Sequence, residues 1–180
     1  MLELLTALTL AAQLVVALAI VLWIVERASA RRPLRAVGRR IGHDALKLAW
    51  LVAAIATAGS LYMSEVRHFT PCPLCWYQRI AMYPLVVLLG IAVLRRDHAA
   101  RWYAIPIALV GLLIGAYHYQ LERFPDQDAI ACTSSVPCTT IWFEQLGYIT
   151  IPMMAMSAFA LVVVILAVGG RHGQGIPDEA

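Results

Sequence analysis

Charge is scarce in this sequence: 14% of its 180 residues are charged, against roughly a quarter in a soluble domain. Mean hydropathy is +0.73 and 61% of residues are apolar. Five long apolar stretches carry no charge: 4–25, 48–64, 80–94, 102–121 and 145–170. A bilayer core about 30 Å thick takes about 20 apolar residues in a helix. The second and third stretches reach that length with a turn or two of flanking sequence. A soluble bundle this small cannot hide so many apolar segments, so the composition excludes a water-soluble domain. Internal repeats and long linkers are also absent, and the only biased tract is an arginine-rich segment at 26–43, so a repeat array is excluded. No positive charge precedes the first apolar run. Ala28-Ser29-Ala30 resembles a cleavage site, yet arginines crowd that end, which describes an outside-to-inside helix rather than a signal peptide.

The few charges define a topology. Arg27, Arg31, Arg32, Arg35, Arg39 and Arg40 fall between the first two runs, Arg95, Arg96 and Arg101 between the third and fourth, and Arg171 opens the tail. The alternate loops hold Arg67 and Arg123 against Glu65, Glu122, Asp126, Asp128 and Glu144. The basic loops and the C-terminus are thus expected in the cytoplasm, and the N-terminus outside. The net charge of +3 needs no nucleic-acid partner, because the arginines sit where topology wants them. Trp23, Trp50 and Trp102 mark inner helix ends, and Trp76 and Trp142 outer ones, as an interfacial belt in contact with lipid requires.

The pattern predicts an all-α membrane protein with helices near 4–26, 45–64, 74–94, 102–121 and 148–169. Outer connections are expected at 65–71 and 122–147, and a disordered tail at the C-terminus. Pro106 and Pro152 fall near expected helix starts, whereas Pro84 should kink the third helix. Met153, Met154 and Met156 read as packing residues rather than metal ligands.

Cysteine is missing from the helix centres and from the basic side. All four lie in the outer loops, as Cys72-Pro-Leu-Cys75 and as Cys132 and Cys138 around Thr-Ser-Ser-Val-Pro. An outward-facing compartment permits disulfides, and two closely spaced pairs suit reversible exchange. The third helix must start near Pro73 or Leu74 to reach spanning length, which puts Cys75 in its first turn. Unpaired N–H groups and the helix dipole there favour a thiolate. Arg79 follows one turn later on the same face, just inside the membrane, where a cation is costly and points to function; headgroup snorkelling is the simpler alternative. The loop with the second pair is long enough to swing between an external protein and the first pair. Ile141, Trp142 and Phe143 read equally as an interfacial anchor or as loop packing. His118, within Tyr117-His118-Tyr119, lies near the outer end of the fourth run and suits proton transfer or a structural hydrogen bond. His68 carries no assignment.

The run Cys72-Pro73-Leu74-Cys75-Trp76-Tyr77-Gln78-Arg79 opening a membrane helix resembles the DsbB family of disulfide-forming membrane proteins. The close second pair and the Tyr-His-Tyr segment are most similar to its short BdbC branch. The resemblance covers about residues 44 to 170. It implies a four-helix transmembrane bundle in a bacterial cell (inner) membrane, acting as a thiol:quinone oxidoreductase. It further implies that Cys132 and Cys138 reoxidise an exported thioredoxin-like disulfide oxidase of the DsbA or BdbD kind. Electrons would then pass through Cys72 and Cys75 to the quinone pool, ubiquinone or menaquinone, beside Arg79 and His118. In the family pattern Cys132 is the sulfur attacked first. This chain departs in having an additional N-terminal transmembrane helix, so residues 1–43 stand apart from a bundle at 44–170 and a tail at 171–180. It also has Gln78 where some members carry a carboxylate. Three other readings fit the same cysteines. A vitamin-K-epoxide-reductase-like enzyme would place its Cys-x-x-Cys after the loop pair, the reverse of the order here. A four-cysteine metal site uses such pairs, although not the wide second spacing on an oxidising face. Purely structural disulfides leave the attendant arginine unexplained.

Overall fold

The computed structural model describes residues 1–28, 33–127, 132 and 136–170. Arg31, Arg32, Asp128, the loop residues 133–135 and the tail expected to be disordered, 171–180, lie outside the described residues. The chain is an all-α membrane protein. Its elements are α1 (Leu2–Ala28), α2 (Pro33–Ile41), α3 (Ala45–Leu61), α4 (Pro73–Arg95), α5 (Arg101–Arg123), the two-residue strands β1 (Glu144–Gln145) and β2 (Ile149–Thr150), and α6 (Ile151–Gly169). Five of the helices are long and apolar enough to cross a membrane.

Small residues set the packing. Ala45, Ala49 and Ala53 repeat every four residues along α3, and Ala104, Ala108, Gly111 and Gly115 recur at three- and four-residue intervals along α5. Such stripes let helices approach closely in lipid, where apolar burial alone gives little drive to associate. They receive the large side chains of α4 and α6: Leu85, Leu89, Phe159, Val162 and Leu166 are fully or almost fully buried. At Gly111 a Cβ would run into the Phe159 ring, so this crossing tolerates only glycine. Outward-facing Leu14, Ile80, Val87 and Leu113 stay exposed, as lipid-facing residues should.

Helix α1 lies outside this group and packs on α6. Its hydroxyls are satisfied along the helix, Thr6 Oγ1 donating to the Leu2 carbonyl at 3.0 Å and Thr9 Oγ1 to that of Leu5 at 2.8 Å. Across the interface, Gln13 Nε2 donates to Ser157 Oγ at 3.2 Å, and the Tyr148 hydroxyl donates to Gln13 Oε1 at 2.9 Å.

Several expectations need correction. The arginine-rich segment between the first two runs is not merely a loop: from Pro33 on it forms α2, with Leu34 and Gly38 buried one turn apart and Arg39 and Arg40 exposed. Proline at its first position and one apolar face suffice for a short interfacial helix. Pro106 lies inside α5 rather than in its opening turn, because a 3-10 turn at His98–Ala100 leads directly into a helix starting at Arg101. The C-terminal end of α3 continues into a π turn, Tyr62–Val66. The last helix begins at Ile151, since residues before it pair as a hairpin, Glu144 with Thr150 and Gln145 with Ile149. Leu146 and Gly147 take positive φ at its tip.

Candidate functional site

Cys72 is the N-cap of α4 and Pro73 its first residue, where a missing N–H costs nothing. The Cys72 sulfur occupies the capping position normally held by an oxygen, accepting from the Cys75 N–H at 3.4 Å. The two sulfurs are free thiols 3.4 Å apart. They face different surroundings. Cys72 is 4% exposed, and its Sγ lies 3.5 Å from His118 Nε2 on α5. Gln78, one turn and a half along α4, brings its Nε2 to 2.9 Å from His118 Nδ1. An amide nitrogen can only donate, so Nδ1 accepts and the neutral ring keeps its proton on Nε2, towards Cys72. The contact with Cys75, the His118 hydrogen bond and the Cys75 N–H hold the Cys72 thiol well below the usual thiol range, against the opposing effect of burial. Cys72, at the cap position, thus also meets an N–H of the helix start. Glu122, a turn beyond His118, is buried and lines a small recess with Cys72, Cys75 and His118.

Cys75 instead borders an apolar cavity of about 200 Å³ between α1, α3, α4 and α6. Arg79 lines the same cavity. Its Nε donates to Ser60 Oγ at 3.0 Å and its Nη2 to the Ser60 carbonyl at 3.1 Å, and its guanidinium lies 5.1 Å from the Trp76 ring centroid. The cation is therefore held by α3 rather than left to reach outward. Trp142 stacks on Phe69, with centroids 5.6 Å apart, and both rings border the cavity. His118 does not line it; it sits behind Cys72.

Cys132 and Cys138 form a disulfide. Cys138 is 2% exposed and packs in one cluster with Cys72, Leu74 and Leu121, while Cys132 is partly exposed. The second pair is docked on the first. An ion pair between Arg123 and Glu144 at 2.9 Å ties the hairpin after the loop to the end of α5.

Sequence reasoning missed the partnership of Gln78 with His118, the Ser60 clamp on Arg79 and the place of Glu122. The first two join residues 40 and 19 positions apart and leave no local signal. Glu122 on the outer side of a membrane helix reads as an ordinary interfacial charge until α5 and the loop enclose it.

The arrangement can pass electrons from a partly exposed disulfide, through a second cysteine pair, to an apolar cavity. Comparison with known proteins agrees with disulfide chemistry. Residues 43–169 match the family model described as disulfide bond formation protein DsbB. Disulfide bond formation protein C of Bacillus subtilis (strain 168) is 46% identical over 122 residues, covering 67% of this chain and 88% of that protein. A probable disulfide formation protein of Deinococcus radiodurans is 48% identical over 145 residues, covering 75% and 94%. One from Coxiella burnetii (strain Dugway 5J108-111) is 43% identical over 132 residues, covering 72% and 90%. No solved structure matches the chain.

Proposed function

This chain belongs to the DsbB family of disulfide bond formation proteins, and from that membership we propose that it reoxidises an exported thioredoxin-like thiol oxidase and reduces a membrane quinone. The observation that carries the reading is the division of the first pair. Cys75 borders the apolar cavity beside Arg79, and Cys72 faces the docked loop disulfide. The cysteine loops and the N-terminus face outward in a bacterial cell membrane, following the arginine distribution.

Catalysis begins when a thiolate of the reduced partner attacks Cys132, the more accessible sulfur of the loop disulfide. A mixed disulfide forms and Cys138 leaves as a thiolate. The partner's second thiol then attacks its own sulfur in that mixed bond, so the partner departs oxidised and both loop cysteines are reduced. Cys138, already packed against Cys72, attacks the Cys72–Cys75 disulfide at Cys72 and expels Cys75. Cys132 resolves the resulting Cys138–Cys72 bond, and the loop disulfide is restored. The two electrons now rest on Cys72 and Cys75. His118 supplies a proton from Nε2 to the Cys72 thiolate or withdraws it, with Gln78 holding the tautomer.

The cavity fits a quinone on its own chemistry. Its walls are largely apolar, and among the described lining residues the one cation, Arg79, stands beside the one thiol, Cys75. A quinone held there by Arg79 and the apolar walls would supply the acceptor for the two electrons and two protons that Cys72 and Cys75 give up on returning to the disulfide. Arg79 stabilises the Cys75 thiolate and offers donors to a ring oxygen. Trp142 and Phe69 keep water from that end.

The testing experiment is quinone reduction by the purified, detergent-solubilised protein supplied with a reduced thioredoxin-like substrate, comparing wild type with Cys75→Ser. Reduction that disappears in the variant supports the scheme. Wild-type protein that exchanges thiols but reduces no quinone refutes it.

A further inference from the structure

The cavity has four walls, and one of them lies outside the part of the chain that matches the family model. Helices α3, α4 and α6 supply three sides. The fourth comes from α1, through Leu5, Leu8, Thr9 and Ala12. These positions are spaced three and four apart and so share one helical face. The family match begins at residue 43, well beyond α1.

The α1 wall is built into the molecule. Gln13, beside Ala12, is gripped from both ends of its amide by Ser157 of α6 and by Tyr148 of the hairpin. Ser157 passes its own hydroxyl proton to the Met153 carbonyl at 2.8 Å, so each group in this clamp has a partner. Polar side chains within a membrane helix associate helices where apolar contact cannot. On the other side, Leu5 reaches into the space left by Gly59 of α3: a Cβ there would stand 3.1 Å from Leu5 Cδ2. Helix α1 therefore packs on α6, touches α3 through Leu5, and supplies one wall of the cavity. Thr6 and Thr9, whose hydroxyls are turned back to their own helix, present little polarity to the cavity.

We propose that α1 is part of the quinone site: its Leu5–Leu8–Thr9–Ala12 face contacts the bound ring and the start of its isoprenoid tail, and sets which quinones fit. The inference rests on the quinone reading given above. It assigns a binding role to a segment that the resemblance left without one.

The test uses the full chain in detergent, with decyl-ubiquinone as the benzoquinone probe and menadione as the naphthoquinone probe. Ala12→Phe projects a ring into the cavity from α1, and Leu14→Phe places the same ring on the lipid-facing side, where Leu14 is 72% exposed. Binding of each quinone is measured directly, and KM and kcat are taken with a reduced thioredoxin-like substrate. Single-turnover exchange between that substrate and the Cys132–Cys138 disulfide, without quinone, reports whether each variant is folded. Ala12→Phe is expected to weaken quinone binding and raise KM about tenfold, the equivalent of roughly 1.4 kcal/mol. Thiol exchange should stay at the wild-type rate, and Leu14→Phe should match wild type throughout. Leu8→Ala, which enlarges the site with little risk to folding, should shift preference towards the bulkier decyl-ubiquinone. Unchanged quinone binding and preference in both Ala12→Phe and Leu8→Ala would overturn the role of α1. Failure of wild-type protein to bind either quinone would overturn the quinone reading itself, and that failure appears before any substitution is made.

Discussion

Replacing Arg79 by Ala removes a cation from the wall of an apolar cavity and leaves its surroundings otherwise intact. Arg79 makes two hydrogen bonds to Ser60, at 3.0 and 3.1 Å, and rests over Trp76. Those contacts hold its position; its charge acts on the Cys75 thiolate one turn away and on any ring oxygen in the cavity. A hydrogen bond to a charged partner contributes about 1.5–3 kcal/mol. Loss of one such contact should therefore slow quinone reduction at low quinone concentration by a factor of about 10 to 150. Arg79→Lys keeps charge but cannot hold both Ser60 contacts in one plane, so it should recover only part of that loss. Ser60→Ala removes the Nε contact alone and should cost about 1 kcal/mol, roughly fivefold. The assay is steady-state quinone reduction with saturating reduced thiol partner, alongside single-turnover exchange at the loop disulfide. The loop step, remote from Arg79, should be unchanged. Arg79→Ala protein with wild-type quinone affinity and rate would remove Arg79 from the scheme.

Three further outcomes are expected. Cys138→Ser should accumulate a mixed disulfide between Cys132 and the partner, seen as a reducible adduct on gels; trapping through Cys138 in Cys132→Ser to an equal extent would contradict the burial argument. Gly111→Ala should lower stability by about 1–3 kcal/mol through its clash with the Phe159 ring, read as an earlier thermal unfolding midpoint in detergent. The third concerns pH. The Cys72 thiol titrates below the ordinary thiol range in the reduced protein, so its thiolate stabilises the folded state above that range. That contribution is lost as pH falls through the depressed value. Ultraviolet thiolate absorbance of the reduced protein should persist well below the pH at which a free thiol is protonated. His118→Ala should move the transition upward, and an unmoved transition would exclude His118 as a partner of the thiolate.

Much of the fold was legible because lipid imposes a simple rule on a chain. A helix must be apolar for the thickness of the bilayer, and charges collect at its ends. The five uncharged runs accordingly became five membrane-length helices, with ends shifted by only a few residues. The elements that went unread are those whose apolar signal is short. Helix α2 buries only Leu34 and Gly38, and the hairpin at 144–150 consists of two residue pairs. The motif from Cys72 to Arg79 was legible for another reason: its residues are neighbours in sequence, and the start of one helix orients them all. The Gln78–His118–Cys72 chain, the docking of Cys138 on Cys72 and the Ser60 clamp were not, since each depends on which helices lie side by side.

The sequence by itself determined that the chain is a helical membrane protein, where its helices run, and that its cysteines gather in two close pairs outside the apolar runs. Hydropathy and spacing are local properties, and those conclusions need nothing more. Only the tertiary structure decided that Cys72 and Cys75 face opposite ways, one to a histidine and a docked disulfide, the other to an apolar cavity. It likewise decided that α1 supplies one wall of that cavity. Both depend on contacts between residues distant in sequence, Cys72 with His118 46 positions apart and Gln13 with Ser157 144 apart, which small residues and isolated polar groups select only when the helices meet.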